Sequence, residues 1–334
     1  MTSIFPLPEG WSEPERFEDV VDIDGLALRR AGVSSIREGT EALGSAAHWQ
    51  MSPAARAQFE LLERVVVLEA SRKRVASFPA RSQSGDLLGE LAVEDVFPVS
   101  PEPAVWAYAR SNGVALHSDW RRACERALGE LVERDRVLRA WLGQTQPVRL
   151  PFDLSGSPLA RTRSYEWSVF SFPAPASGEL AVAIEVAGVF GFPCKPSAPL
   201  VFGYGARDSV RDAVAAATRE ALQLLSFLYG EPVSQEAPEP APTPMCHLET
   251  HQPRDRQASL RSWLGGGHRR YGGARATEPP APPGAVSFAD LTPGWLGASL
   301  RVAKAVSPAA LPLTFGLSPI TANLPEELRI HPIP

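Results

Sequence analysis

A chain of 334 residues with a formal net charge of -5 is long enough to bury a large core, and it lacks the broad basic field that holds a polynucleotide, which argues against a nucleic-acid partner. Its 33 prolines and 26 glycines put much of the length in loops, and its three scattered cysteines, Cys124, Cys194 and Cys246, read as free thiols instead of a disulfide framework. Met1 to Gly10 has neither a basic n-region nor an apolar h-region, and the longest apolar run, Leu180 to Pro193, is interrupted by Glu185, so a cytoplasmic protein without a membrane partner is expected.

In chain order, a first helix is expected from Ser52 and Pro53, with Phe59, Leu62 and Val66 on its apolar side. A second starts near Ser118 and Asp119 and presents Ala123, Ala127, Leu131, Leu138 and Trp141. Glu166 to Phe172, Glu179 to Val189 and Leu200 to Tyr204 read as strands from their aromatic and β-branched content. A third helix runs from about Asp208 to Tyr229 with Val214, Ala217, Ala221, Leu224 and Leu228 on one side, and Gly230 ends it. Pro232 to Pro244 and Gly265 to Gly284 read as mobile loops. Apolar segments resume after both, so a single α+β domain over residues 1–334 is expected, with mixed sheets packed against helices.

The first two helices share the pattern E-x-x-E-R, as Glu60, Glu63 and Arg64 and again as Glu130, Glu133 and Arg134; the third adds Glu220 and Gln223. Glutamates three apart lie on one helical face, so each helix can aim two carboxylates in one direction. Such a cluster calls for a cation, and Mg2+, which takes one or two carboxylates and completes its shell with water and phosphates, suits Glu60, Glu63, Glu130, Glu133 and Glu220. Arg64 and Arg134 would then meet phosphate oxygens or orient the glutamates. The alternative is that each Glu pairs with the Arg four residues on, on a solvated face.

Several stretches together resemble the YcaO family. They are Ser111-Asn112-Gly113-Val114-Ala115, the helix Ala127-Leu128-Gly129-Glu130-Leu131-Val132-Glu133-Arg134-Asp135, the earlier Ala57 to Arg64, and Gly203-Tyr204-Gly205-Ala206 leading to Glu220 and Gln223. The resemblance implies an ATP site lined by helices and unlike a Walker site, with Glu60, Glu63, Arg64, Glu130, Glu133, Arg134, Glu220 and Gln223 on ATP and Mg2+. It implies activation of a backbone amide in a ribosomally made precursor peptide, giving a thiazoline or oxazoline. The ending Ile330-His331-Pro332-Ile333-Pro334 is similar to the proline-rich tail of azoline-forming members, whose terminal carboxylate acts as a base, a role carried over to Pro334. A ThiF-like or other leader-peptide-binding partner and a homodimeric core are also implied.

Two alternatives accompany this reading. One is a thioamide-forming member; the other is a degenerate, non-catalytic scaffold or peptide-binding subunit, suggested by Arg122, which stands where the family carries glutamate, and by Leu224, Leu225 and Ser226, which follow Gln223 where the family carries an arginine, with Ala57 standing in place of the family's serine. Cys246, His247 and His251 have the makings of half a zinc site, but no second ligand pair lies nearby at standard spacing, and a structural or substrate-side role is preferred.

Overall fold

Two hairpins open the chain. Asp24-Gly25 and Glu38-Gly39 take positive φ (55° and 86°, 50° and 74°) at the centres of two-residue turns, the backbone sign of a type I′ hairpin. They join β1 (Glu15–Ile23), β2 (Leu26–Arg37) and β3 (Thr40–His48) into an antiparallel sheet. Periodicity does not predict this sheet, because β1 is exposed on both faces along most of its length and carries no apolar alternation. The computed structural model describes residues 7–175, 184–267 and 286–334. Most of the expected loop at 265–284 and the start of the strand expected at 179–189 lie outside them.

After β3 come α1 (Ala54–Arg72), β4 (Ser77–Arg81), β5 (Leu87–Ala92), the short α2 (Val93–Val96), β6 (Trp106–Tyr108), β7 (Val114–His117) and α3 (Trp120–Trp141). Then follow β8 (Val148–Arg149), β9 (Tyr165–Ser171), β10 (Glu185–Pro193), β11 (Val201–Arg207) and α4 (Val210–Leu228). The chain continues through α5 (Pro244–Thr250), α6 (Arg254–Leu264), β12 (Ser287–Asp290), β13 (Arg301–Val306) and β14 (Thr314–Gly316). Besides the first sheet there are a five-stranded sheet in the order β5-β4-β12-β13-β7, a four-stranded sheet β11-β10-β9-β8 and the pair β14-β6. The mixture of helix and sheet is the α+β class expected from the sequence.

Two of the three long helices, α3 and α4, start where their capping residues place them. The Asp119 carboxylate accepts from Arg122 N at 3.0 Å, Ser209 Oγ accepts from Asp212 N at 3.1 Å, and Gly230, with φ 89°, follows α4 as a left-handed C-terminal residue. Phe59 departs from the expected core face and is 41 % exposed. The face of α1 that packs inward is set by Ala57, Leu61, Leu62, Val65 and Val66, and Phe59 lies off that stripe. The residues from Pro232 up to α5 form neither helix nor strand.

The largest core cluster joins α3, α6 and the four-stranded sheet. Trp141 and Trp263 meet edge to face at 5.1 Å, and the Trp263 indole N–H donates to Ala140 O at 3.0 Å. Cys124 and Cys246 are buried and Cys194 is exposed, all three as free thiols. Burial pushes the Cys124 thiol up to about 12, so it behaves as a small apolar group. Among the described residues, no helix is long and apolar enough to cross a membrane.

Candidate functional site

Three strand-to-helix units, β3 with α1, β7 with α3 and β11 with α4, are built alike. Gly44, Gly113 and Gly203 are each followed four residues on by His48, His117 and Arg207; twelve or thirteen residues later come Glu60, Glu130 and Glu220, and three further on Glu63, Glu133 and Gln223. The glycines set how closely strand and helix approach. A Cβ on Gly44 would stand 2.0 Å from Ala57 O and 2.4 Å from Leu61 N; one on Gly203 would stand 2.4 Å from both Ala217 O and Ala221 N. That approach lets Ser45 N donate to Glu60 Oε2 at 2.9 Å and Tyr204 N to Glu220 Oε2 at 2.6 Å. The units close into a ring, because α1 packs on β3 and β7, α3 on β7 and β11, and α4 on β11 and β3.

The ring brings the expected carboxyls together. Leu116 N, from β7, donates to Glu63 Oε2 of α1 at 2.8 Å, and the Gln223 amide of α4 donates to Ser45 O and Oγ of β3, both at 3.1 Å. Arg134 of α3 stands 3.5 Å from Glu133 and 3.8 Å from Glu220, which links two helices. Arg64 behaves differently. It folds onto Glu60 at 2.9 Å as an i,i+4 pair with 48 % of its side chain exposed, the arrangement of an ordinary surface pair.

Burial dominates the electrostatics. It pushes the Glu63 carboxyl up to about 8, with Glu130 adding to the shift, and it raises Glu130, Glu133 and Glu220 against the pull of Arg134. Glu220 keeps 42 % of its side chain open while surrounded by these charges, as a cleft wall does. Burial also works against the Arg134 charge, but Glu133, Glu220 and Glu130 outweigh it and hold the guanidinium protonated. A cation bound here displaces protons from the raised carboxyls.

Two of the Arg134 donors, Nε and Nη1, are buried with no hydrogen-bond partner, as is Asn112 Oδ1. Unpaired buried donors beside a carboxyl cluster fit a ligand that supplies anionic oxygens together with a cation. Among the described residues, no three His, Cys, Asp or Glu side chains stand close enough to hold a metal by themselves. Mg2+ suits such a site, since it keeps water and phosphate oxygens as most of its ligands.

Two further groups belong to the site. Lys304, on β13, is buried; its ammonium donates to Arg110 O at 2.7 Å and Asn112 O at 3.0 Å. Burial draws it down to about 8, while Glu130 opposes that shift. Its only sequence signal is a lysine inside the buried run Val302 to Ala305. Tyr204 links the ring to the C-terminus, because its hydroxyl donates to Pro332 O at 2.9 Å while its backbone N–H holds Glu220.

The tail is packed, with Ile330, His331 and Ile333 buried and Pro334 half-buried. Side chains from α3 and from α5 with its C-cap hold its carbonyls: Trp141 Nε1 donates to Leu328 O at 2.8 Å, His251 Nε2 to Ile330 O at 3.1 Å and His247 Nδ1 to His331 O at 3.0 Å. The partners fix the tautomers. His247 Nε2 accepts from Gly316 N at 2.9 Å, and His331 donates through Nε2 to Thr314 O at 2.7 Å while its Nδ1 accepts from Ile333 N. His247 and His331 are therefore neutral. Cys246 Sγ is turned instead to Ala241 N and Glu239 O, so Cys246, His247 and His251 each serve separate protein partners.

Burial draws His251 down to about 3, His331 to about 4 and His247 well below its usual value of 6.5; the neighbouring histidines add to the first and last of these shifts. Each group binds a proton more weakly folded than unfolded, so its contribution is complete above 6.5 and is lost as the pH falls toward 4. At pH 5 His251 and His331 together are expected to cost about 4 kcal/mol of stability. Melting temperatures measured from pH 7.5 to 5 should fall steeply in the native chain and less in His331→Gln; equal slopes would contradict the assignment.

A family profile described as YcaO cyclodehydratase, ATP- and Mg2+-binding, matches residues 90–271. The match covers Glu130, Glu133, Arg134, Glu220 and Gln223 but not Glu60, Glu63 or Arg64. The chain belongs to the YcaO family. No curated protein matches it. Its fold is similar to that of YcaO from Methanopyrus kandleri bound with AMPPCP and Mg2+, at 16 % identity over 87 % of this chain and 84 % of that one, TM-score 0.56. It is also similar to the E. coli microcin synthetase McbBCD complex, at 14 % identity over 91 % and 93 %, TM-score 0.55. A heterocyclase in complex with substrate and cofactor is matched at 16 % identity and TM-score 0.60 over 97 % of this chain; the chain spans 54 % of that protein's length.

Proposed function

We propose that the chain uses ATP and Mg2+ to activate a backbone amide of a ribosomally made peptide in the cytoplasm, leading to an azoline ring. The observation that supports this most is the ring of three helices, which brings the helices of Glu60, Glu63, Glu130, Glu133 and Glu220 together and sets Arg134, two of whose donors lack a hydrogen bond, between Glu133 and Glu220.

Bound ATP supplies the phosphoryl group that turns the amide oxygen into a leaving group, and Mg2+ supplies charge that holds the phosphates. The chain does the rest. Glu63, Glu130, Glu133, Glu220 and Glu60 would hold the cations, Arg134 would donate to phosphate oxygens, and Gln223 would fix the α4 side of the cleft through Ser45. Arg64 is engaged with Glu60 and would orient that carboxylate instead of touching the nucleotide. Tyr204 and the three histidines would hold Pro334 so that its carboxylate takes the proton of the attacking Cys, Ser or Thr side chain. The likeness to the microcin synthetase complex with pro-MccB17 bound supports a precursor peptide and a delivering partner, of which a ThiF-like protein is one kind. A homodimeric core is part of the same proposal.

Arg122, exposed on α3, favours a second reading, a non-catalytic scaffold, because it places a cation near a site that has to gather cations. Incubation with ATP, Mg2+, a precursor peptide encoded beside the gene and its delivering partner separates the readings. A peptide that loses one water per ring supports azoline formation, and exchange of oxygen for sulfur supports thioamide formation. An unchanged peptide, with no ATP turned over, leaves the scaffold.

A further inference from the structure

Strand β1 lies at the edge of the first sheet, paired with β2 on one side and, among the described residues, with no strand on the other. The two-residue turn at Asp24-Gly25 makes Ile23 and Leu26 a hydrogen-bonded pair, and such pairs alternate along an antiparallel ladder, so Val21, Asp19, Phe17 and Glu15 also bond to β2. Arg16, Glu18, Val20 and Asp22 therefore aim their backbone N–H and C=O groups away from the sheet. β1 keeps one register with β2 from Glu15 to Ile23, and neither a bulge nor a proline within it blunts the edge.

The edge carries one sign of charge. Between positions 13 and 22 stand Glu13, Glu15, Glu18, Asp19 and Asp22 against the single cation Arg16. Arg16 donates to Gln58 Oε1 at 3.3 Å, and Asp19 is paired with Arg30 at 2.7 Å. Glu13, Glu15, Glu18 and Asp22 are exposed and form no ion pair among the described residues; the Asp22 carboxylate accepts from Gly25 N at 3.0 Å in the turn. Glu18, Val20 and Asp22 share one face of the strand, and Phe17 and Asp19 the other. Val20 is 57 % and Phe17 47 % exposed, and they are the exposed large apolar side chains of β1.

We propose that β1 receives an extended, basic segment of an unfolded peptide as an antiparallel fourth strand, with a cationic side chain opposite Glu18, an apolar one opposite Val20 and a second cation opposite Asp22. The outward backbone groups supply the hold, and the acids select the sequence. Charge on an edge ordinarily keeps other strands away; an acidic edge repels acidic strands and still attracts basic ones. A second copy does not fit, because its own β1 would set acids directly against these acids. Phe17 and Val20 offer apolar surface for one strand and too little for a folded partner. β3, which carries Ser45 of the ring, is two strands in from β1, so the added strand lies about 14 Å from it across the sheet at the usual strand spacing. That this peptide is the one modified at the ring rests on the proposed function; the strand addition does not.

The test follows the anisotropy of a capped, fluorescent seven-residue peptide, in which threonine alternates with lysine, valine and lysine, on titration with the full chain without nucleotide or metal. Native protein is expected to bind it, more weakly as salt rises. The same peptide with glutamate in place of lysine should bind at least tenfold more weakly, and Glu18→Lys should weaken the lysine peptide at least fivefold. Val20→Pro removes an outward N–H and none of the bonds to β2, so it should keep the native melting temperature and lose the peptide. Should its melting temperature fall, the lysine peptide N-methylated at its lysines and valine, whose N–H groups face β1 in this register, replaces it and should not bind native protein. No binding of the lysine peptide by native protein, equal binding of the glutamate or N-methylated peptide, or a native dimer that Val20→Pro dissociates overturns the proposal. Glu133→Gln should keep peptide binding while losing the Mg2+-dependent binding of an ATP analogue, so the edge and the nucleotide reading fail separately.

Discussion

Replacing Arg134 with methionine is expected to lower stability by about 3–5 kcal/mol at pH 9 and by less at pH 6, and to abolish binding of an ATP analogue with Mg2+ at either pH. The side chain is nearly isosteric, so packing is largely kept and the lost charge dominates. Glu133 at 3.5 Å, Glu220 at 3.8 Å and nearby Glu130 would share a buried region without their cation. Burial already raises their carboxyls, Glu133 to about 8, and losing Arg134 would raise them further, so they carry less charge at pH 6 than at pH 9 and the penalty is smaller there. At pH 9 they ionise against one another. Denaturant unfolding at the two pH values measures the difference, and a variant within 1 kcal/mol of native at pH 9 would show that Arg134 is not the charge on which this cluster depends.

Alanine at Gly203 or Gly44 is expected to be among the costliest single-methyl changes at the described glycines. A Cβ at Gly203 meets Ala217 O and Ala221 N at 2.4 Å, and one at Gly44 meets Ala57 O at 2.0 Å. These are backbone atoms inside helices, so no rotamer change relieves the clash and the strand has to move off the helix. Overpacking of a core commonly costs 1–3 kcal/mol, and these two positions should reach or pass the upper end. Moving the strand also breaks the Ser45 or Tyr204 hold on its glutamate, so metal-dependent nucleotide binding should fall with stability. Gly156→Ala, where a Cβ meets nothing within 4 Å, is the control and should be neutral. Thermal melts of the three variants that coincide would show that the close approach carries no strain.

The sequence made the helices and the carboxylates legible because both are local patterns. Spacing within a helix puts Glu60 beside Glu63, and Glu130 beside Glu133, whatever the rest of the chain does. Which helices face one another was not local. It depends on Gly44 and Gly203, whose role shows only as a glycine before each helix at nearly constant separation from its glutamate, a signal that the E-x-x-E-R echo masked. Arg64 shows the limit of the motif: the same letters that put Arg134 between two helices leave Arg64 paired on the surface. Lys304 lies far along the chain, on a strand whose pairing with β7 joins it to the Asn112 turn. The hairpins at Asp24-Gly25 and Glu38-Gly39 carried a turn signal, but an exposed β1 gave it no flanking alternation to attach to.

The three-unit ring has a consequence for the order in which competence is gained. Its carboxyls come from segments centred on Glu60, Glu130 and Glu220, far apart in sequence, and Glu60, Glu63 and Glu220 are each held by the strand of their own unit or of the next. Contacts between such distant segments form slowly, since the intervening chain has to be ordered first. A partly folded chain with one unit undocked would hold no partial site, only unneutralised acids without their partners. A ligand that touches all three units therefore recognises the closed ring alone, and its concentration sets the ring's resistance to heat through mass action.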